Sequence, residues 1–242
     1  MKFIDIKYKM DETPDNANGS NITGMCKMQR FTSDGYWTSP AGITTIYVSG
    51  CGGGGGGSSG LSTMSDDTVI GWQLGAGGGS GGWSIKIPIT VIPETKYTVI
   101  VGSAGIGETN SINTNGGDSK ISLNGVNIWL AYGGSRGIYG LGGNIKCKSG
   151  EGGISGTGTL QGATGFNHGR YSYGGGSIFG FYGGSNYFQN GSLIIYQQYY
   201  SMNSIAIGYG AGGGGGNRGG YGSAFTKFNG ASGAQGLVII EW

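Results

Sequence analysis

A run of six glycines is the feature that most constrains what this chain can fold into. The stretch CGGGGGGSSG (51–60) directly follows AGITTIYVSG (41–50), whose residue pattern is that of a β-strand. Glycine loses more conformational freedom on folding than any other residue, so ordering such a run is costly. Glycine-rich blocks recur at 76–82, 173–176 and 210–220. Their repetition requires a structural explanation, because a single flexible linker would need only one block.

Composition favours a folded domain over a disordered linker. The 242 residues include 59 glycines and only 4 prolines, without the strict glycine period and abundant proline that collagen requires. Disordered tracts are typically charged and poor in aromatic residues. Here 12% of the residues are aromatic, 36% are hydrophobic and only 11% are charged. We therefore predict that most of the chain folds.

The charge and the cysteine content argue against several classes of function. A net charge of +2 provides no strong field for nucleic acid or an anionic membrane. No apolar run approaches the about 18 residues of a membrane-spanning helix, and the first residues lack the apolar core of a secretory signal. Cys26, Cys51 and Cys147 show no CxxC spacing, so we expect neither disulfides nor a zinc site. We also expect no cofactor.

Alternating polarity predicts an all-β fold with little or no α-helix. WSIKIPITV (83–91) alternates throughout, which predicts one apolar face, and Pro88 indicates an edge strand or a bulge. KISLNGVNIWLAY (120–132) is typical of a hairpin that turns at Asn124–Gly125. The predicted apolar face of the first stretch comprises Trp83, Ile85, Ile87, Ile89 and Val91. Further strands are predicted within 30–40, 44–50, 96–102 and 236–242, which together favour an antiparallel β-sandwich.

The glycine blocks are explained if they form packed polyglycine II helices between the strands. Such a helix has three residues per turn and no internal hydrogen bonds, so its N–H and C=O groups must find partners on neighbouring segments. Only glycine allows several of these segments to approach closely, helped by Cα–H···O contacts. We expect Gly53, Gly55, Gly213 and Gly215 to lie inside this bundle.

Three motifs, in the same order along the chain, resemble the glycine-rich domains of phage tail fibres. They are FTSDGYWTSPAGITTIYVSG leading into the glycine run (31–57), IPITVIPETKYTVIVGSAGIG with NGGDSKIS (87–122), and GASGAQGLVIIEW (230–242). The arrangement is also similar to the glycine-rich ectodomain of the anaplastic lymphoma kinase receptor and to adhesins of some T-even-like phages. The resemblance implies a jelly-roll or tumour-necrosis-factor-like sandwich interleaved with polyglycine II helices. It also implies recognition of a host surface.

Aromatic and polar residues between the glycine blocks are candidates for that recognition. Tyrosine-, serine-, glycine- and asparagine-rich loops on a rigid scaffold offer much contact area for little lost side-chain entropy, as in antibody paratopes. An alternative reading is that these aromatics cover the sandwich and the bundle. The predicted receptor-binding residues in the insert 177–207 are Tyr182, Tyr187, Phe188, Tyr199 and Tyr200, and the second region, 161–173, contributes His168 and Arg170.

Two other motifs give little support for a phosphate-binding or a metal-binding site. GSAGIGET (102–109) has the spacing of a phosphate-binding loop, but Glu108 stands where the loop requires a lysine, and no helix is predicted after it. Asp66 and Asp67 are adjacent carboxylates in a loop, which is weak support for a Ca²⁺ site. The remaining acids are scattered and there is one histidine, so we predict a non-enzymatic protein.

We therefore expect a virion protein, a tail-fibre tip or receptor-binding protein that recognises a bacterial host surface. It would be made in the host cytoplasm and carried on the virion, and its receptor would be a glycan or an outer-surface protein. The alternative is a structural virion component, such as a fibre, tail or capsid decoration, without direct receptor recognition. Whether the protein acts alone or as a homotrimer is left open.

The first 24 residues are predicted to attach the domain at 25–242 to another tail or fibre protein. Ile4, Ile6 and Tyr8 alternate with charged residues, and a flexible linker follows at 11–21. A lone strand is unstable by itself, so it would have to dock on another chain. Deletion of residues 1–24 should leave the domain folded, as judged by thermal melting, and should abolish incorporation into virions. Normal incorporation of the truncated protein would contradict this assignment.

Overall fold

The computed structural model describes the sandwich, the glycine segments and parts of the inserts. The described residues are 27–59, 64–65, 68–69, 75–108, 112–138, 160–168, 171–181, 184–189, 199–203, 206–216, 218–219, 226–227 and 229–242. The predicted attachment residues Ile4, Ile6 and Tyr8 lie outside these ranges, as do Asp66 and Asp67. Their assignments therefore stay predictions.

The described residues contain β-strands and no helix. The strands of the first half are β1 (Met28–Phe31), β2 (Gly35–Thr38), β3 (Thr45–Cys51), β4 (Met64–Ser65), β5 (Thr68–Val69), β6 (Trp83–Thr90), β7 (Lys96–Ile100), β8 (Ser119–Leu123) and β9 (Val126–Ala131). Those of the second half are β10 (Phe166–His168), β11 (Tyr171–Tyr173), β12 (Gly180–Phe181), β13 (Gly184–Gln189), β14 (Tyr199–Asn203), β15 (Ile207–Gly208), β16 (Arg218–Gly219), β17 (Thr226–Lys227) and β18 (Leu237–Glu241).

Two four-stranded antiparallel sheets form a sandwich around one hydrophobic core. Their strand orders are β1-β18-β3-β6 and β2-β7-β8-β9. The buried core residues come from both sheets: Phe31, Trp37, Ile46, Val48, Val91, Tyr97, Val99, Ile121, Trp129, Ala131, Val238 and Ile240. The predicted all-β antiparallel class is confirmed. The carboxyl-terminal strand β18 lies between β1 and β3, which explains the apolar pattern of the last residues.

The strand β6 departs from the simple alternation that its sequence suggests. Ile85 is exposed and Ser84 is buried, where it accepts a hydrogen bond from the Trp129 indole at 3.1 Å. The reason is a register shift opposite Val48 and Gly50, accompanied by a left-handed backbone at Lys86 with φ of 49°. The shift changes which residues face the core along the strand. Both features that Pro88 indicated, an edge position and a bulge, are therefore present in this strand.

The hairpin between β8 and β9 turns where the sequence predicts. Asn124 and Gly125 connect the two strands, with φ of 50° and 82°. Positive φ at both central residues is the requirement of the type I′ turn, and asparagine followed by glycine meets it with little strain. The predicted hairpin is confirmed.

The glycine run forms a central segment (52–58) whose backbone is fully hydrogen-bonded to other parts of the chain. Each N–H from Gly52 to Ser58 donates to a carbonyl oxygen at 2.8–3.0 Å, and each C=O from Gly53 to Ser58 accepts a bond. Donors three residues apart bond to the same neighbouring segment: Gly52, Gly55 and Ser58 donate to Gly82, Gly79 and Ala76 respectively, all within 75–82. A repeat of three is that of a threefold extended helix, whereas a β-strand repeats every two residues.

Six surrounding segments form a closed ring among the described residues. In order around the central segment they are 75–82, 132–137, 113–117, 102–108, 230–236 and 210–216, each hydrogen-bonded to the next and the last to the first. Segments that run antiparallel to the centre accept its N–H bonds, and segments that run parallel donate to its carbonyl oxygens. The two directions alternate around the ring. We call these seven segments the glycine bundle.

The sandwich strands continue directly into the bundle. The central segment follows β3, the segments at 102–108 and 132–137 follow β7 and β9, and three further ring segments lead into β6, β8 and β18. The bundle therefore begins at the sandwich, and its far end lies at Ser58.

Close approach of the backbones explains why the central segment is glycine. A Cβ added at Gly54 would lie 1.9 Å from the Ala211 carbonyl oxygen, and one at Gly56 would lie 1.9 Å from that of Ile106. Real Cβ atoms essentially never come within 3.0 Å of such an atom. The three-residue repeat favours polyglycine II helices, and the identity of the segments as such helices stays a prediction.

Alanine inside the bundle should destabilise the fold. A Cβ at Gly53, Gly55 or Gly213 would lie 2.0–2.1 Å from a backbone oxygen, so neighbouring segments must move apart. We expect each Gly→Ala substitution to lower the free energy of unfolding by about 1–3 kcal/mol, as in an overpacked core. Chemical denaturation provides the measurement.

Gly35→Ala is the matched control. Its Cβ would meet only side-chain atoms of Phe31 at 3.4 Å, which is an ordinary contact. This variant should stay within about 0.5 kcal/mol of the parent protein. Unchanged stability in all three bundle variants would show that the close packing does not exist in solution.

Candidate functional site

Residues from both predicted recognition regions lie in one antiparallel sheet of order β10-β11-β13-β14. His168 is paired with Tyr171 across β10 and β11. Phe188 is paired with Tyr200 across β13 and β14. In the sequence, the aromatic insert and the region 161–173 are separate candidate regions. In the structure, their strands belong to the same sheet. We call this the recognition sheet.

The strands of the recognition sheet pair antiparallel throughout. Besides the pairs above, Asn167 is paired with Ser172, Tyr187 with Ser201 and Gln189 with Tyr199.

The predicted receptor-binding residues of the insert lie on two adjacent strands, with Tyr187 and Phe188 in β13 and Tyr199 and Tyr200 in β14. His168 lies in β10 of the same sheet. A linear sequence could not show this pairing, and the role of these residues in binding stays a prediction. Two further candidates, Tyr182 and Arg170, lie outside the described residues, and their roles stay predictions.

Two short glycine-containing segments on the outside of the ring lead to the recognition sheet. Ser80 donates from its N–H to the Ala163 carbonyl oxygen at 2.9 Å, and Gly175 donates to that of Gly78 at 2.8 Å. The chain then runs from Gly165 directly into β10 beside Gly77, at the level of the far end of the central segment. The strand β10 thus begins at the end of the bundle remote from the sandwich.

A second exposed apolar surface lies on the small ladder of β12 and β15. Phe181 and Ile207 are directly paired, and 78% and 69% of their respective surfaces are exposed. Arg30 of β1 donates to the Tyr209 hydroxyl, which holds the residue after this ladder to the sandwich. Sequence reasoning did not select this pair, because its two members are distant in the chain and meet only through strand pairing.

Comparison with known families agrees with this architecture. A family model described as a glycine-rich domain matches residues 31–242, a range that includes the glycine bundle, the recognition sheet and all of the sandwich except the first residues of β1. The chain belongs to this glycine-rich domain family. No curated protein matches it. The family description supports the glycine-rich part of the resemblance and leaves its phage-specific part to be tested.

In this glycine-rich domain, the motif at 102–108 is a ring segment of the bundle. The Glu108 side chain is 1% exposed, and its Oε2 accepts a hydrogen bond from the Ser59 N–H at 2.8 Å. The backbone N–H of Glu108 donates to the Gly57 carbonyl oxygen at 2.9 Å. The carboxylate thus extends the backbone hydrogen bonding one residue past the central segment. This contact explains a glutamate where a phosphate-binding loop would carry lysine.

Nearby, polar side chains satisfy other backbone groups at the far end of the bundle. Ser58 Oγ accepts from the Ala76 N–H at 2.8 Å, and Asn113 Nδ2 donates to the Gly137 carbonyl oxygen at 2.5 Å. Arg136 in turn donates to the Asn113 carbonyl oxygen at 3.0 Å. These side chains provide hydrogen-bond partners for backbone groups at the end of the bundle, where the neighbouring segments end.

Cys51 is a free, buried cysteine of the glycine-rich domain. Burial raises the pKa of the Cys51 thiol from 9.0 to about 12, partly offset by hydrogen bonds from the Leu237 backbone and Ser177. The thiolate is the reactive form, so Cys51 is inert near neutral pH. Within the described ranges, no group of three or more potential metal-ligating side chains occurs, and no helix has the length and apolar character to span a membrane.

Cys51 should resist alkylation while the protein is folded. At pH 8 we expect iodoacetamide to label Cys51 in urea-unfolded protein and to leave it unlabelled in native protein, as measured by peptide mass spectrometry. Because the folded pKa is raised, this group's contribution to stability is complete below pH 9 and is lost as pH rises towards 12. Equal labelling rates for native and unfolded protein at pH 8 would contradict the buried position.

Proposed function

We propose that this glycine-rich domain is a non-enzymatic virion protein, a tail-fibre tip or receptor-binding protein that recognises a bacterial host surface. The supporting observation is the meeting of the two predicted recognition regions in one sheet that starts at the far end of a glycine bundle. The ordered resemblance to tail-fibre motifs supports the same proposal. The receptor would be a glycan or an outer-surface protein.

The bundle suits this task because it holds a binding surface rigidly. Backbone groups of the central segment are bonded on all sides, so the segment has few alternative conformations. A binding sheet anchored on such a scaffold loses less entropy on binding than a flexible loop would. Tyrosine, serine and asparagine on a rigid support also resemble the composition of antibody binding sites.

Competition for adsorption tests this function. Purified domain, added at rising concentration to the host cells of the virus that encodes it, should reduce virus adsorption, and antiserum against the domain should block it. Heat-unfolded protein at the same concentration is the control and should have no effect. A domain that is incorporated into virions while neither reagent alters adsorption would support the structural alternative, a fibre or decoration protein without receptor recognition.

A further inference from the structure

We propose that Asn115, Asp118 and Arg136 close a position on the outside of the glycine bundle at which a further glycine-rich segment would otherwise add. This position is the groove between the ring segments 113–117 and 132–137, which we call the outer groove. The excluded partner is a glycine segment of a second copy of this chain. The proposal goes beyond host recognition and does not depend on it.

The N–H groups of the segment 132–137 point in more than one direction. Gly134 and Gly137 donate to the central segment, at 2.8 and 2.9 Å. Gly133 and Arg136 each come one residue earlier, and in a threefold extended helix one residue corresponds to a rotation of about 120°. The N–H groups of these two residues therefore point away from the centre of the bundle.

Side chains of the neighbouring segment accept the hydrogen bonds of these outward N–H groups. Asp118 Oδ1 accepts from the Gly133 N–H, and Asn115 Oδ1 accepts from the Arg136 N–H, each at 2.9 Å. The two acceptors are three residues apart, as the two donors are, and both acceptor residues are exposed. The Arg136 guanidinium donates in the other direction, to the Asn113 carbonyl oxygen at 3.0 Å. Three side-chain hydrogen bonds therefore span the outer groove.

The same kind of closure recurs on the ring segment 102–108. The Ile106 N–H donates to Thr114 Oγ1 at 2.8 Å, and the Gly107 N–H donates to Ser232 Oγ at 3.1 Å. Thr114 and Ser232 belong to the two ring segments on either side of 102–108. Side-chain acceptors for N–H groups that do not donate to the centre are thus a repeated feature of the bundle.

Elsewhere on the ring, backbone segments take the place of these side chains. The Ser80 N–H donates to the Ala163 carbonyl oxygen, and the Gly212 N–H donates to that of Gly175, each at 2.9 Å. Ala163 and Gly175 belong to the two segments outside the ring that lead to the recognition sheet. The bundle can therefore add further segments outside the ring through the same type of backbone hydrogen bond.

An open outer groove would promote association for the same reason that an open edge strand does. An exposed row of backbone donors is a template for pairing with another chain, and proteins block such edges with charged side chains and other obstructions. Asn115 and Asp118 block the outer groove in two ways. Their oxygen atoms occupy the N–H groups, and their side chains fill space that a glycine segment would need.

Replacement of the three side chains by glycine tests the proposal. The variant Asn115→Gly/Asp118→Gly/Arg136→Gly loses one negative and one positive charge, so the net charge of the chain is unchanged. We expect this variant to form larger species than the parent protein as its concentration rises, measured by sedimentation velocity. It should also bind a lysine-flanked oligoglycine peptide about tenfold more tightly than the parent, the factor that one or two additional backbone hydrogen bonds provide.

The matched control is Asn115→Asp/Asp118→Asn, which keeps both acceptor oxygens and the net charge. It should have the size distribution and the peptide binding of the parent protein. A triple glycine variant that melts cooperatively and matches the parent in both measurements would overturn the proposal, and so would equal association of the control. If the triple variant does not fold, Asn115→Gly and Asp118→Gly are measured singly, and the same two results decide.

Discussion

Hydrogen bonding of the central backbone segment is the constraint on which the rest of this structure depends. A buried amide N–H or C=O without a partner costs about 1–3 kcal/mol, and the segment at 52–58 is buried. It has no strand partner on either side in the usual sense, so its groups are satisfied by six neighbours in turn. From Gly52 to Gly57 that arrangement is open only to residues without a Cβ, as the 1.9 Å approach at Gly54 shows.

The sandwich and the bundle are parts of one hydrogen-bonded system. Strands of the sandwich are antiparallel, and six of the bundle segments are continuations of those strands. The alternation of direction around the ring is therefore established largely in the sandwich, where a conventional apolar core orders the strands. The core residues Trp37, Trp129 and Ile240 contribute hydrophobic stabilisation that the glycine segments themselves cannot supply. The bundle, in turn, extends the hydrogen-bonded backbone beyond the core of the sandwich.

The close packing of the bundle also restricts where side chains can be placed. Side chains can be carried only on the outside of the bundle or at its ends, because its interior has no space for them. Bulky side chains are accordingly found in the sandwich core, such as Trp37 and Trp129, and on elements outside the bundle, such as the ladder with Phe181 and Ile207.

The sequence by itself determined the class of fold and the position of its most distinctive parts. Alternating residues identified strands, Asn124–Gly125 identified a hairpin, and the glycine blocks indicated close backbone packing, because each of these signals depends on local conformation or on the absence of a Cβ. Other features were decided by tertiary structure. The bulge opposite Val48 leaves Ser84 buried and Ile85 exposed, the reverse of what the alternation predicts. Glu108, in a motif with the spacing of a phosphate-binding loop, is buried and accepts a hydrogen bond from the Ser59 backbone. The pairing of β10, β11, β13 and β14 joined two regions that are separate in the sequence into one sheet, since pairing between strands distant in the chain depends on the whole fold.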